Sequence, residues 1–173
     1  MNFFENERQI YFAKLNDKAI IPSKEDENAG YDLYACFDED YIKVSPLSTK
    51  LIPTGIAWAS SEDFYLQIEE RSSTGTKGIK KSAGVIDSGY RGEIKIAITN
   101  VNNFPLIFSN IEEDKLRAKY VIDPNSLIYS CKKAIAQGIV HRVERMDIKE
   151  ISKEEILKIP SKRMDKGWGS TNK

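Results

Sequence analysis

The stretch Gly84-Val-Ile-Asp-Ser-Gly-Tyr-Arg-Gly-Glu-Ile-Lys-Ile-Ala-Ile-Thr99 carries the clearest structural pattern in this sequence. In residues 93–99 isoleucine alternates with other residues, and this period of two is typical of a half-buried β-strand. The residues Asp87-Ser-Gly89 have turn chemistry, so the stretch predicts a hairpin whose return strand is opened by Gly92. The three glycines leave main-chain groups bare, so a flat base could form hydrogen bonds with them.

Short apolar runs of the same kind recur along the chain, and turn residues such as Pro46 and Pro53-Thr-Gly55 separate them. Many short strands at close spacing predict an all-β fold, either a barrel or a jelly roll. The runs are residues 10–15, 41–44, 50–52, 56–58 and 64–68.

Helix signals are few. Ser152-x-x-Glu155 matches a capping box and Pro160 follows it, so one short helix is predicted there. Asn110-x-x-Glu113 could cap a second helix over residues 111–120, where the periodicity is weaker. Residues 161–173 are small, polar and glycine-bearing, and this composition predicts a flexible end.

Length and charge narrow the functional classes. The 173 residues fit one domain with a single core, and 26 basic residues balance 26 acidic ones. That balance argues against a broad basic surface, so we expect no stable binding to nucleic acid. No apolar run is long enough to span a bilayer, and residues 1–7 lack the basic region of a signal peptide. We therefore expect a cytoplasmic protein without a membrane partner.

Cysteine and histidine are scarce. Cys36 and Cys131 are predicted to be buried thiols rather than a disulfide. With a single histidine, His141, the chain has too few soft ligands for a zinc site. Any metal should therefore be held by oxygen atoms.

The stretch Arg71-Ser-Ser-Thr-Gly-Thr-Lys77 offers a guanidinium, four hydroxyls and an ammonium after a predicted strand. These groups suit a polyphosphate, because cations match its charge and loop amides can surround it. A solvated loop rich in Ser and Thr, without a ligand, is the alternative interpretation of this segment. A P-loop is rejected, since Lys80 occupies the place of its second glycine and no helix signal follows.

Three further segments carry polar or aromatic groups in unusual places. Asn28-Ala-Gly-Tyr-Asp-Leu-Tyr-Ala35 is one, and Ala134-Ile-Ala-Gln137 is an apolar strand with a single amide. In the tail, Trp168 stands among Gly and Ser, where nothing nearby in sequence would bury it. Such a tail could be an arm that closes over a ligand, or a disordered end that is merely apolar.

In their order along the chain, the five segments resemble the five motifs of the trimeric dUTPases, and the likeness runs from about Ile10 to Thr171. The resemblance implies an all-β, distorted jelly-roll (β-clip) barrel with one short helix over residues 1–160. Residues 161–173 would be a flexible C-terminal arm closing over a neighbouring active site. The implied activity is Mg²⁺-assisted hydrolysis of dUTP to dUMP and pyrophosphate, which limits uracil in DNA and supplies dUMP for dTMP synthesis. The implied assembly is a homotrimer whose active sites lie between subunits.

The resemblance also implies a role for each matching residue. Asp87 would be the general base, Gln137 would place the water or the α-phosphate, and Ser72 would bind the leaving pyrophosphate. Tyr90 would stack under the deoxyribose, and Asp32 would reach Mg²⁺ through water while the substrate phosphates hold the ion. The other implied substrate contacts are Arg71, Ser73 and Lys77 at the phosphates, Ala83, Gly84 and Ile94 at uracil, Trp168 over uracil, and Arg163, Gly169, Ser170 and Thr171 at the γ-phosphate end.

The chain departs from the family pattern between motifs. Lys132-Lys133-Ala134 stands where the family has Gly-Asp-Arg or Gly-Asp-Lys, and residues 101–133 contain an insertion that could dock a protein partner. One alternative is therefore a regulatory binding module on a dUTPase scaffold. Another is dCTP deaminase, whose catalytic glutamate would fall at position 97. Ala97 stands there, which argues against deamination.

Overall fold

The computed structural model describes residues 9–162, and this part of the chain is mostly β-structure. The chain separates into two units, residues 1–143 and residues 144–173. All strands and the first two helices lie in the first unit. The strands are β1 (Ile10–Lys14), β2 (Tyr31–Leu33), β3 (Tyr41–Val44), β4 (Thr49–Pro53), β5 (Ile56–Ser60), β6 (Phe64–Glu69), β7 (Ile79–Lys81), β8 (Val85–Ile86), β9 (Lys95–Asn100), β10 (Leu106–Ser109), β11 (Leu127–Ser130) and β12 (Ala136–Arg142). The helices are α1 (Ser72–Gly75), α2 (Glu113–Lys119) and, in the second unit, α3 (Lys153–Lys158).

The strands form four small sheets, which confirms the predicted all-β, jelly-roll-like fold. Their orders are β1-β5, β11-β10-β3, β2-β12-β6-β8 and β4-β9-β7. Within residues 9–162 the sheets do not close into one barrel, because short strands pair with one or two neighbours and the edges of each sheet stay open. No helix of this part of the chain is long and apolar enough to cross a membrane.

The core is centred on the alternating stretch around β9. Ile94, Ile96 and Ile98 are at most 1% exposed, whereas Lys95 between them faces solvent. Burying one such side chain stabilises the fold by roughly 1.5–3 kcal/mol. The buried face is as predicted, but Ala97 on the opposite face is also buried, so the strand is covered more fully than a half-buried strand.

The predicted hairpin is wrong in its pairing. β8 pairs with β6, through Ile86 opposite Leu66, and not with β9. β9 has no free edge to offer, since β4 and β7 occupy its two sides. The segment 87–94 therefore crosses from one sheet to another and holds its residues in a connecting loop.

The helices differ from the expectation of one. α3 forms as predicted: the Glu155 amide donates to Ser152 Oγ (3.1 Å), and the Ser152 amide donates to Glu155 Oε2 (2.8 Å). α2 begins after Glu112 and not at Asn110. The Asn110 side-chain amide donates to the carbonyls of Phe37 and Glu39. The third helix, α1, lies where a loop was expected.

Part of the expected insertion belongs to the fold itself. β10 is buried and lies between β11 and β3. α2 is attached to this framework by Leu116, which is fully buried, and by Asp40, which accepts hydrogen bonds from Lys119 (2.6 Å) and Tyr120 (2.9 Å). Both hydrogen bonds lower the pKa of the Asp40 carboxyl, and the one from Lys119 has the larger effect.

Candidate functional site

The phosphate-binding stretch of the sequence folds into the single helical turn α1. Thr74 is fully buried, and its hydroxyl accepts from the Arg71 amide (3.1 Å) and donates to the Arg71 carbonyl (2.9 Å). The expectation of a plain loop is therefore wrong, because this buried hydroxyl closes the turn on itself. Ser72 and Ser73 are left exposed on the turn, next to the Arg71 side chain.

The pairing of β2 with β12 brings two of the predicted site residues opposite each other. Gln137 lies across from Asp32 in the sheet. Arg71 Nε lies 2.9 Å from Asp32 Oδ1, and Gln137 Nε2 donates to the Glu70 carbonyl (2.9 Å). Asp32, Arg71 and Gln137 are thus held in one polar group at the end of the sheet.

A cavity of about 360 Å³ opens over this group, with Ser72 and Ser73 in its wall. A neighbouring cavity of about 460 Å³ shares Asp32, Arg71 and Ser73 with it and extends to Lys77. The structure therefore brings together all the described residues that the sequence assigned to phosphate.

Asp87 and Tyr90 lie elsewhere in the chain, in the loop between β8 and β9. The Tyr90 amide donates to the Asp87 carbonyl (3.1 Å), and the Tyr90 hydroxyl donates to the Glu93 carbonyl (2.9 Å). Both side chains are exposed and line a third cavity of about 300 Å³, together with Leu51 and Val85. Its wall is more apolar than those of the phosphate cavities, as expected for a surface that receives a sugar or a base.

The three residues predicted to read uracil are placed differently. Ala83 is exposed, and the Gly84 carbonyl already accepts from the Ile68 amide (2.7 Å). Ile94 is fully buried, its amide donates to the Ile56 carbonyl (2.8 Å) and its carbonyl accepts from Thr54 Oγ1 (2.6 Å). The main-chain amide and carbonyl of Ile94 each already have a partner in the core, and its contact with uracil stays a prediction.

The two groups of predicted site residues line different cavities. The cavity that contains Asp87 and Tyr90 shares no lining residue with either phosphate cavity, of which the smaller contains Ser72 and Gln137. The remaining predicted contacts lie outside the described residues. They are Arg163, Trp168, Gly169, Ser170 and Thr171.

The residues that line the phosphate cavities suit a metal ion that enters together with a bound phosphate compound. Among residues 9–162 there is no cluster of three or more His, Cys, Asp or Glu side chains that could hold a metal. Asp32 is the one carboxylate that lines the phosphate cavities, and Arg71 already engages one of its oxygens. Mg²⁺ commonly takes one or two protein carboxylates and completes its shell with phosphate and water, so these residues fit it.

Three positions around the cavities were not assigned from the sequence. Gly30 is buried against Gln137, and a Cβ there would lie 2.4 Å from Gln137 Oε1. Glu93 accepts a hydrogen bond from the Gly55 amide (2.9 Å). Lys133 reaches the larger phosphate cavity from the turn between β11 and β12. The sequence offered a signal for Lys133 alone, since basic residues there depart from the family pattern.

The chain is similar to known proteins in both sequence and fold. The family model described as dUTPase matches residues 16–110 of the 173. The deoxyuridine 5'-triphosphate nucleotidohydrolase of Wolinella succinogenes is 31% identical over 169 residues, which is 95% of each chain.

Two solved structures share the fold at lower identity. The dUTPase of Staphylococcus bacteriophage 80alpha with dUPNHPP has a TM-score of 0.71 at 21% identity, over 96% of this chain and 99% of that one. A mutant dUTPase from phage phi11 of S. aureus, described with a structural Mg(II) ion, has a TM-score of 0.63 at 18% identity, over 85% and 99%. Since the family model covers more than half of this sequence and a relative aligns with nearly all of it, the chain belongs to the dUTPase family.

Proposed function

We propose that this protein hydrolyses dUTP to dUMP and pyrophosphate, which limits uracil in DNA and supplies dUMP for dTMP synthesis. The observation that carries the proposal is the cavity lined by Arg71, Ser72, Ser73 and Gln137 at the end of one sheet. It combines a fixed cation, free hydroxyls and an amide, which together suit a phosphate chain. Membership of the dUTPase family indicates that the phosphate compound bound there is dUTP.

The proposed reaction is an attack of water on the α-phosphorus. Asp87 accepts a proton from the water as its oxygen bonds to phosphorus, and the bond from the α-phosphorus to the bridging oxygen breaks. Pyrophosphate leaves, and Ser72 donates a hydrogen bond to it. Gln137, whose amide is fixed by the Glu70 carbonyl, holds the α-phosphate in line.

Phosphate binding falls to the side chains that line the two polar cavities. Arg71 is oriented by Asp32 and presents its remaining N–H groups to phosphate, with Ser73 and Lys77 beside it. Mg²⁺, bound mainly to the phosphate oxygens, would neutralise their charge and favour departure of pyrophosphate. Asp32 is the residue that would face the ion through water.

Base and sugar selection is assigned to the loop around Tyr90. Tyr90 is held by the Glu93 carbonyl and stacks under the deoxyribose, leaving no room for a 2′-hydroxyl. The main chain at Ala83 and Gly84 reads uracil. Deamination of dCTP is not supported, because Ala97 is buried and supplies no carboxylate for proton transfer.

We place the complete site between copies of the chain. A general base must lie within hydrogen-bond reach of the attacking water, yet Asp87 and Gln137 line cavities with no shared residue. A homotrimer that joins the Asp87 loop of one subunit to the α1 side of another resolves this. Residues 161–173 would be the arm that closes over the joined site, so deleting residues 164–173 should leave the trimer intact and lower kcat/KM.

The substrate is tested by measuring pyrophosphate release from dUTP, dCTP, UTP and dTTP under identical conditions with Mg²⁺. Turnover of dUTP, with the other three nucleotides near background, is the expected result. Ammonia release from dCTP would identify a deaminase instead. Docking of a protein partner on residues 101–133 stays a prediction.

A further inference from the structure

Glu70, which connects β6 to α1, forms hydrogen bonds through both its main chain and its side chain. Its carbonyl accepts from Gln137 Nε2 (2.9 Å). Its side chain reaches Lys81 at the end of β7, where Glu70 Oε1 accepts from the Lys81 amide (3.1 Å). Gln137 lies on β12 of the β2-β12-β6-β8 sheet, whereas β7 belongs to the β4-β9-β7 sheet. Glu70 therefore connects the Gln137 side chain to the edge of a second sheet.

The Lys81 amide is a donor with a fixed direction. β7 is an outer strand of its sheet and pairs with β9. The next amide, that of Ser82, donates to the Ala97 carbonyl of β9 (2.9 Å). Successive amides of a strand point to opposite sides, so the Lys81 amide points away from β9 and toward the Glu70 carboxylate. Because this donor belongs to a paired strand, it holds Glu70 more firmly than a flexible side chain would.

We propose that Glu70 is a positioning residue for the reaction: its carboxylate, held by the Lys81 amide, fixes the carbonyl to which the Gln137 amide donates. The inference rests on the proposed dUTP hydrolysis, in which Gln137 holds the α-phosphate in line. If the carboxylate is removed, the Glu70 carbonyl can move and the Gln137 amide moves with it. Such a misplacement slows the chemical step more than it weakens binding, because several other side chains also hold the phosphates.

Steady-state kinetics with dUTP and Mg²⁺ test this role. Glu70→Ala should lower kcat about tenfold and raise KM by less than about threefold. Glu70→Gln keeps an oxygen acceptor for the Lys81 amide and should retain most of the wild-type kcat. A failure of Glu70→Gln to retain more activity than Glu70→Ala would overturn the proposal.

A second set of variants separates positioning of Gln137 from a general loss of structure. In a Gln137→Ala background, Glu70→Ala should cause no further loss of kcat, because Glu70 acts through Gln137. A further tenfold loss in that background would show that Glu70 acts in some other way.

The matched control is Glu69→Ala. Glu69 lies across from Gln137 in the sheet, and its carboxylate lies 3.4 Å from the ammonium nitrogen of Lys81 rather than at the amide. This partly exposed ion pair contributes little, so the control should keep a kcat near that of the wild type. Equal losses of kcat in Glu69→Ala and Glu70→Ala would contradict a specific role for Glu70.

NMR of the full chain without substrate gives a readout that does not depend on turnover. The side-chain amide signals of Gln137, assigned by their loss in Gln137→Ala, should shift in Glu70→Ala and stay near their wild-type positions in Glu70→Gln. Unshifted signals in Glu70→Ala would overturn the positioning role. If the wild type does not hydrolyse dUTP, the proposed function fails, and the NMR comparison still decides whether Glu70 positions Gln137.

Discussion

Gly30 is a residue whose importance follows from the space around it. A Cβ at this position would lie 2.4 Å from Gln137 Oε1 and 2.9 Å from Gln137 Cβ, and both distances are too short to persist. Gly30→Ala should therefore displace the Gln137 side chain. Because a small misplacement at a reacting centre can slow the reaction up to ~100-fold, we expect kcat/KM for dUTP to fall by about 10- to 100-fold.

Steady-state kinetics and a melting curve separate this effect from general unfolding. Gly75→Ala is the matched control, since a Cβ there meets nothing closer than 3.9 Å. The control should fold and melt like the wild type. Wild-type kinetics for Gly30→Ala would mean that Gln137 does not need its present position.

Cys131 illustrates a buried group with a perturbed proton affinity. The pKa of its thiol is raised from 9.0 to about 12, mainly by burial and to a smaller extent by the neighbouring Cys36. The thiolate is the reactive form, so both free cysteines should react slowly with a disulfide reagent in the folded protein at pH 8, and rapidly in denaturant. Rapid labelling of either thiol in the native protein would contradict this.

The same pKa predicts how alkali affects stability. The Cys131 thiol loses its proton near pH 9 in the unfolded chain but only near pH 12 in the folded chain. Its contribution to the free energy of unfolding is therefore fully present below pH 9. Its contribution to the free energy of unfolding then declines as the pH rises through that window. Denaturant unfolding at increasing alkaline pH should show a smaller decline for Cys131→Ala than for the wild type.

At the scale of elements, Glu93 links two segments of the fold. Its Oε1 accepts from the buried Gly55 amide (2.9 Å), and its carbonyl accepts from the Tyr90 hydroxyl (2.9 Å). Glu93→Ala leaves the Gly55 amide without a partner, so the free energy of unfolding should fall by about 1–3 kcal/mol. Glu93→Gln keeps an acceptor and should lose less, because the half-exposed pair with Lys95 contributes little.

Urea denaturation of the two Glu93 variants measures this difference. Equal stabilities for Glu93→Ala and Glu93→Gln would contradict the proposed role of the carboxylate oxygen. The KM for dUTP should also rise in Glu93→Ala, since the loop that carries Tyr90 is no longer tied to the turn at Gly55.

Elements were predictable from the sequence where their cause is local. The alternation of Ile94, Ile96 and Ile98 and the capping box at Ser152 depend on neighbouring residues, and both features form as predicted. The partners of β8 and β9 were not predictable, because strand pairing depends on contacts between residues that are far apart in the sequence. Similarly, only the structure reveals that Asn110 donates to the Phe37 carbonyl and that α2 begins after Glu112.

At the scale of the whole molecule, the candidate site residues could be predicted from the sequence, but which of them line the same cavity could not. Asp87 and Tyr90 line one cavity, whereas Ser72 and Gln137 line another. Which residues share a cavity depends on contacts far apart along the chain. The proposal of a site shared between subunits rests on this separation into two cavities.

Shared sites predict that two inactive variants restore each other. Asp87→Asn and Ser72→Ala subunits, unfolded together and refolded as a mixture, would form sites with an intact Asp87 from one chain and an intact Ser72 from another. In randomly mixed cyclic trimers this holds for about one quarter of the sites, so about that share of wild-type activity should return. A mixture as inactive as either variant alone would place the site within one chain.

The most direct test of dUTP hydrolysis compares pyrophosphate release from dUTP by the wild-type chain and by Asp87→Asn, with Mg²⁺ present. The substitution keeps the shape of an exposed side chain and removes the carboxylate that accepts the proton. We predict rapid release by the wild type and a loss of roughly 100- to 10,000-fold in kcat for the variant, with both proteins equally folded. Equal rates for the two proteins, or no release by either, would contradict the proposed function.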